Sequence, residues 1–273
     1  MEHKMIIGNR EFDVKHHTYI MGILNVTPDS FSDGGKYNHV DQALFRVKEM
    51  LKEGMDILDV GGESTRPGYE KISDQEEIER IVPIIQKIKD NFEVPVSLDT
   101  YKSQVAFEGI KAGADMINDI WGLLYDENMA KVIADAGAVC CLMHNRSEAV
   151  YKDFFKEVIG DLKKILEVAE NAGIKKEKII LDPGVGFGKS YENNLEVIRR
   201  VGELKELGYP ILLGTSRKSV IGLTLDLPVE ERLYGTLATS TYGVMHGCSF
   251  LRVHDVRANK EMVKMLEVVL GRK

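Results

Sequence analysis

The sequence predicts an α/β fold: a (β/α)8 TIM barrel preceded by a short N-terminal β-hairpin, with residues 1–273 forming a single domain. Three observations carry this. Short, mostly apolar segments alternate with longer stretches of helical periodicity, making eight strand–helix units in succession. Strand after strand stops abruptly in polar residues or glycine, at the end where a barrel gathers its chemistry. A chain of 273 residues with 44% hydrophobic content is the size of one closed barrel. A doubly wound open sheet is the alternative, and it would carry a nucleotide-binding glycine turn after one strand. Residues 184–190, Gly-Val-Gly-Phe-Gly-Lys-Ser, imitate such a turn. A P-loop, however, needs glycine where Pro183 stands, and the G-x-G-x-x-G spacing is absent.

Residues 5–14 alternate around Gly8-Asn9, the pattern of a hairpin that covers the barrel bottom. The first barrel strand, 19–24, empties into Asn25-Val-Thr-Pro-Asp-Ser-Phe-Ser-Asp-Gly-Gly35, a loop rich in amide, hydroxyl and carboxylate groups with one aromatic, Phe31. A helix over 40–52 follows, ended by Gly54. Strand 57–60 breaks at Gly61-Gly-Glu-Ser-Thr-Arg-Pro-Gly68. Ser73 with Glu76 three residues on forms a capping-box signature for a helix reaching about 92, with Pro83 inside it. Strand 95–98 ends in Asp99-Thr100, and 116–117 in Asn118-Asp119. Strand 139–143 ends in His144, 179–181 in Asp182-Pro-Gly, 211–213 in Gly214-Thr-Ser-Arg-Lys218, and 250–253 in His254-Asp255. Helices are predicted at 102–112, 128–136, 151–172, 191–207, 229–245 and 257–270.

With 36 basic and 43 acidic residues the net charge is −7, which gives no overall footprint for nucleic acid or an anionic membrane. No run approaches the roughly 18 apolar residues of a membrane span, and Met1-Glu-His-Lys4 lacks the apolar region of a signal peptide. The expected location is the cytoplasm, in keeping with three cysteines and no C-x-x-C. Cys140 and Cys141 are adjacent in a strand and so point to opposite faces as buried, inert thiols. No His, Cys, Asp and Glu set has zinc spacing, and His16-His17 precede the first strand.

A barrel would bring together Asn25, Glu63 to Arg66, Asp99, Asn118, His144, Asp182, Lys218, Arg252 and His254 at one mouth. They form two chemical groups. Asp99, Asn118 and Asp182 are acceptors suited to a flat ring whose edge presents amino and ring N–H donors, since a carboxylate matches two parallel N–H groups. Arg66, Lys218, Arg252 and His254, with Thr65, are donors, as a phosphate or diphosphate requires. Taken singly, each has an ordinary structural explanation. A strand-end aspartate often caps the next helix, a lone lysine or arginine is often a solvated charge, and a lone histidine is often structural. Their joint occurrence at successive strand ends favours a site for a nitrogenous head with an anionic tail.

Six motifs together, 21–35, Gly62-Glu-Ser-Thr-Arg-Pro-Gly68, Asn118-Asp-Ile, Asp182-Pro-Gly-Val-Gly-Phe-Gly-Lys189, Ser216-Arg-Lys-Ser219 and Arg252-Val-His254, closely resemble those of the dihydropteroate synthases. The likeness covers nearly the whole chain. It implies condensation of 6-hydroxymethyl-7,8-dihydropterin diphosphate with 4-aminobenzoate, Mg²⁺ as cofactor, a homodimer, and sensitivity to sulfonamides. Carried over position by position, it sets the pterin against Asp99, Asn118, Asp182 and Lys218, with Met143, Phe187 and Gly214 around it. The diphosphate falls to Asn25 with Mg²⁺, and to Arg252 and His254. Aminobenzoate falls to Thr65, Pro67, Phe187, Lys218 and Ser219, beneath two loops carrying Phe31, Asp33 and Arg66. Catalysis falls to Lys218, Arg252, His254, Asp99 and Asp182. Val220, where an aromatic is common, and Asn145 depart from the pattern at positions without an assigned role. A pterin-dependent methyltransferase would share the pterin edge without needing the diphosphate donors. A non-catalytic pterin-binding paralogue would keep the barrel and lose turnover.

Overall fold

The computed structural model describes residues 4–26, 36–63 and 71–272. Two short strands, β1 (Lys4–Ile7) and β2 (Arg10–Asp13), pair antiparallel as the expected hairpin. Gly8 sits at its turn with a positive φ of 59°, a conformation that favours glycine. Eight parallel strands follow: β3 (Tyr19–Asn25), β4 (Ile57–Gly61), β5 (Val96–Asp99), β6 (Met116–Asp119), β7 (Val139–Met143), β8 (Ile179–Asp182), β9 (Leu212–Leu213) and β10 (Phe250–Val253). Each pairs with its neighbours in chain order except β8 with β9, and β10 returns to β3. Between β8 and β9 the ring is held by a parallel bridge from Leu181 to Ile211, with Leu181 N–H donating to Pro210 O at 2.9 Å. The predicted barrel is therefore the observed one.

Its wall is built by α1 (Lys36–Lys52), α2 (Asp74–Asn91), α3 (Ser103–Lys111), α4 (Met129–Ala136), α5 (Phe154–Asn171), α6 (Tyr191–Arg199), α7 (Ser219–Leu225), α8 (Leu233–Met245) and α9 (Val256–Val269). Outward strand residues such as Leu58, Val60, Val96 and Leu98 pack on helix residues such as Val47, Ile81, Ile85 and Val105, all fully buried. Ser73 caps α2 by accepting from Glu76 N–H at 3.2 Å, but the Glu76 carboxylate turns to Arg80 rather than completing the box. Two helices depart from expectation. The 191–207 segment is α6 followed by a 3-10 stretch, Val201–Leu207, because Gly202 lies in its middle. Helix α7 is an addition; its Ser-Val-Ile-Gly-Leu-Thr-Leu sequence is β-branched and glycine-containing, which conceals a helix.

Inside the barrel the alternate strand positions form levels. The lower level is apolar: Met21, Ile57, Met116, Val139, Cys141, Ile180, Leu212 and Phe250, closed below by Met5, Ile7 and Phe12 of the hairpin. Phe12 meets Tyr19 edge-on at 4.8 Å. Cys140 joins the outer core while Cys141 faces inward, as the alternation requires.

Candidate active site at the barrel mouth

Register makes the upper level. Asn25 pairs with Gly61, Gly61 with Asp99 and Asp99 with Asn118, so four adjacent strands end at one height with their inward positions aligned. On the far side Met143 pairs with Asp182. Asp99, Asn118, Met143 and Asp182 are all buried. Gly214, at the end of β9, leaves space that a Cβ would place 3.8 Å from Asp182 Oδ2, from Lys218 Nζ and from Arg252 Cβ. The sequence-predicted acceptors and cations therefore do converge.

Arg252 binds differently from a surface cation. Its Cα is level with Met21 at the apolar depth, yet its guanidinium reaches upward to two carboxylates, Nε to Asp59 Oδ2 and Nη2 to Asp99 Oδ2, each at 2.6 Å. Burial works against the Arg252 charge, but Asp59 and Asp99 hold it above its ordinary range. Burial likewise pushes the Asp99 carboxyl up to about 7, against the pull of Arg252 and helped by Asp59. Asp59 was not foreseen as a site residue. The one signal was a carboxylate in the middle of an otherwise apolar strand, Ile57-Leu-Asp-Val60.

Asp182 and Lys218 form the second charged group. Asp182 Oδ1 accepts from Gly184 N–H at 2.7 Å, and burial raises its carboxyl against the attraction of Lys218. Burial lowers the Lys218 ammonium to about 8, with Asp182 opposing. Its Nζ donates to Val185 O and stands 4.9 Å from the Phe187 ring centre. Neither aspartate is spent on helix capping: α3 starts at a Lys102 cap with no side-chain bond, and Asp182 holds its own loop. Ser219 is exposed at the start of α7.

His254 lies just past β10. Its N–H donates to Ser216 Oγ at 3.1 Å and its Nδ1 is 3.0 Å from the same oxygen. Arg217, left-handed at φ 56°, pairs with Asp255 through Nε at 2.9 Å and Nη2 at 2.6 Å, tying the loop after β9 to the end of β10. Two expected mouth residues are engaged elsewhere. His144 follows inward Met143, so it faces outward; it is fully buried, and its Nδ1 is 2.8 Å from Lys189 Nζ. Glu63 accepts from Tyr101 OH at 2.5 Å, Lys102 Nζ at 2.7 Å and Ile72 N–H at 3.0 Å. Lys102 also reaches Glu77 at 2.8 Å, a buried group that the sequence did not disclose. Phe31, Asp33, Thr65, Arg66 and Pro67 lie outside the described residues.

Residues 21–254 match the model of the pterin binding enzymes, and that span runs from the first barrel strand to the last residue of the mouth. The chain belongs to the pterin-binding enzyme family. Within this family it is 58% identical over 269 residues to the dihydropteroate synthase of Clostridium beijerinckii, covering 98% of this chain and all of that protein. Its fold is similar to the dihydropteroate synthase of Clostridium difficile solved in the presence of pteroic acid, with a TM-score of 0.93 and 52% identity over 96% of this chain and all of the other. It is also similar to the Xanthomonas albilineans dihydropteroate synthase solved with 4-aminobenzoic acid, at a TM-score of 0.94 and 37% identity over 99% of each chain. In this pterin-binding enzyme the family span and the charged mouth thus coincide.

Proposed function

We propose that this chain, working as one barrel domain, is a dihydropteroate synthase that joins 6-hydroxymethyl-7,8-dihydropterin diphosphate to 4-aminobenzoate, releasing diphosphate and 7,8-dihydropteroate. The observation that carries this is the level ring of acceptors, Asp99 and Asn118 with Asp182 opposite, beside the Lys218 ammonium at one mouth. A pterin edge presents amino and ring N–H donors, and two buried carboxylates with an amide oxygen match it. Lys218 over Phe187 and beside Gly214 fits a position between the ring system and the incoming amine. The relatives solved with pteroic acid and with 4-aminobenzoic acid support the two substrates.

In the reaction the C–O bond between the pterin methylene and diphosphate breaks, and diphosphate leaves with the bonding pair. The amine nitrogen then forms the C–N bond and releases a proton. No side-chain nucleophile is needed, because the electron-rich pterin supports positive charge at its methylene. The work of the chain is to orient and to offset charge: Arg252 and His254 face the anionic end, and Asp99 and Asp182 hold the ring. Arg252 shares its charge with Asp59 and Asp99, so its orientation is fixed before any anion arrives. Among the described residues no group of three or more His, Cys, Asp or Glu is placed to hold a metal. Mg²⁺ fits only as an ion held mainly by the diphosphate, with the Asn25 amide as protein ligand. When bound there it would offset the charge of the leaving group.

Among the described residues no helix is long and apolar enough to cross a membrane. We place the enzyme in the cytoplasm, a reading supported by three free, buried cysteines. We read it as a homodimer, which the exposed Tyr234 and Met245 of α8 support. The deciding experiment supplies the pterin diphosphate, Mg²⁺ and 4-aminobenzoate to the purified protein and follows diphosphate and dihydropteroate together. Equal formation of both products is expected, with competition by a sulfonamide. Tight pterin binding without turnover would refute the synthase reading.

A further inference from the structure

In the glycine-rich segment after β8 Phe187 is a proposed substrate contact, but neither a nucleotide site nor the substrates explain its glycines and Lys189. Its geometry shows what the glycines permit. Gly184, at φ 70°, lies so close to β7 that a Cβ would fall 1.9 Å from His144 O, and at Gly188, φ 52°, it would fall 2.3 Å from Arg146 O. The 184–189 loop is thus packed backbone against backbone on residues 144–146. Lys189 closes the contact. Its Nζ lies 2.8 Å from His144 Nδ1, 3.0 Å from Phe187 O and 3.3 Å from His144 O, so three N–H donors meet three acceptors.

All three partners are uncharged. Burial, with the neighbouring Lys189 charge, drives the His144 ring down to about 3, so it is neutral and offers a lone pair. Its Nε2 makes only a long 3.4 Å approach to Asp161 Oδ2. A half-buried ammonium without a hydrogen-bonded carboxylate is costly, and burial lowers Lys189 to about 7 against the pull of Asp182; an apolar side chain would fill the same gap without that cost. What the ammonium adds is direction. It fixes the loop that presents the Val185 carbonyl and the Phe187 ring, and these are the groups against which Lys218 stands.

We propose that Lys189 is a positioning residue for the mouth: by locking the 184–189 loop to the end of β7, it sets the place of Phe187 and, through the Val185 carbonyl, of Lys218. This rests on the synthase reading for its kinetic consequence, while its structural core concerns the pterin pocket alone. Lys189→Met in the full chain removes the three donors and keeps the stem. Gly188→Ala keeps the ammonium and drives the same loop off Arg146. Both are compared with wild type for melting temperature, for pteroic acid affinity by calorimetry, and for kcat and KM per folded molecule.

The expected result for both variants is a fall of about 30- to 100-fold in kcat/KM, since displacement of a positioning group by about 1 Å costs that order. Pteroic acid affinity should fall about 10-fold in the folded protein, by the same loss of alignment. A purely structural Lys189 would lower the melting temperature and leave kcat, KM and pteroic acid affinity of the folded fraction at wild-type values; that outcome overturns the proposal. If Lys189→Met does not fold, Lys189→Gln, which also removes the ammonium, decides by the same readouts. Wild-type protein that binds pteroic acid but does not turn over would refute the synthase reading, and the affinity arm would still decide the role of Lys189.

Discussion

The two ends of the barrel interior are made by the same strands, yet they have opposite chemistry. At the bottom Met21, Ile57, Met116, Ile180 and Phe250 fill the space and the hairpin seals it. Two positions further along those strands stand Asp59, Asn118 and Asp182, with the guanidinium of Arg252 reaching up to Asp59, and the space becomes polar. Strand periodicity makes this possible, because a step of two residues keeps a side chain inward while raising it by about 6.6 Å. The lower half is where the fold gains stability by burial. The upper half keeps Asp99, Asp182 and Lys218 ionisable at a cost that the lower half and the outer core offset.

Breaking the upper half should have the largest effect on function. Asp182→Ala or Lys218→Ala is expected to lower kcat/KM by about 10³-fold, an order typical of lost charge-stabilising groups. The melting temperature should stay close to wild type for Lys218→Ala and fall modestly for Asp182→Ala, which leaves the Gly184 N–H unpaired; steady-state kinetics beside thermal unfolding would reveal any departure. The mirror experiment is Phe250→Ala, which empties a fully buried position in the lower level. A loss of about 3–5 kcal/mol in unfolding free energy is expected, with near-normal turnover per folded molecule. If activity fell as far as stability, the separation of the two halves would be wrong.

The charge state of the mouth sharpens the comparison. Burial lowers Lys218 to about 8, so its ammonium is present below that pH and lost above it. The profile of kcat/KM should therefore fall on the basic side through about 7 to 8, where burial places both Lys189 and Lys218, and Lys218→Met should lose the upper part of that fall. The smallest effect is expected outside both halves. Ser73→Ala removes the cap of α2 and should cost about 1 kcal/mol, with kinetics unchanged; altered KM values would show that α2 communicates with the mouth.

Most of the barrel was legible because its signals are local. Hairpin, strands and helices are written in periods of two and 3.6 residues, and glycine marks their ends. The Asp99, Asn118, Asp182 and Lys218 group was legible too, since each stands at a strand end. Helix α7 was not, because Gly222 and the β-branched residues of Ser219–Leu225 argue against a helix that tertiary packing nevertheless holds. The direction of His144 was available from alternation, one residue after inward Met143, yet a strand-end histidine reads first as chemistry.

What the sequence determined by itself, then, is the order of the strands, the closed barrel they make, and most of the polar residues at its mouth. Partnerships were decided only in three dimensions. Arg252 meets Asp59 and Asp99 across 193 and 153 residues of chain. Lys102 joins Glu63 and Glu77. Lys189 reaches back to His144. The physical reason is that a buried charge must find its counter-group wherever the packed fold brings one within hydrogen-bond reach, and that distance follows from register and closure of the ring rather than from spacing along the chain.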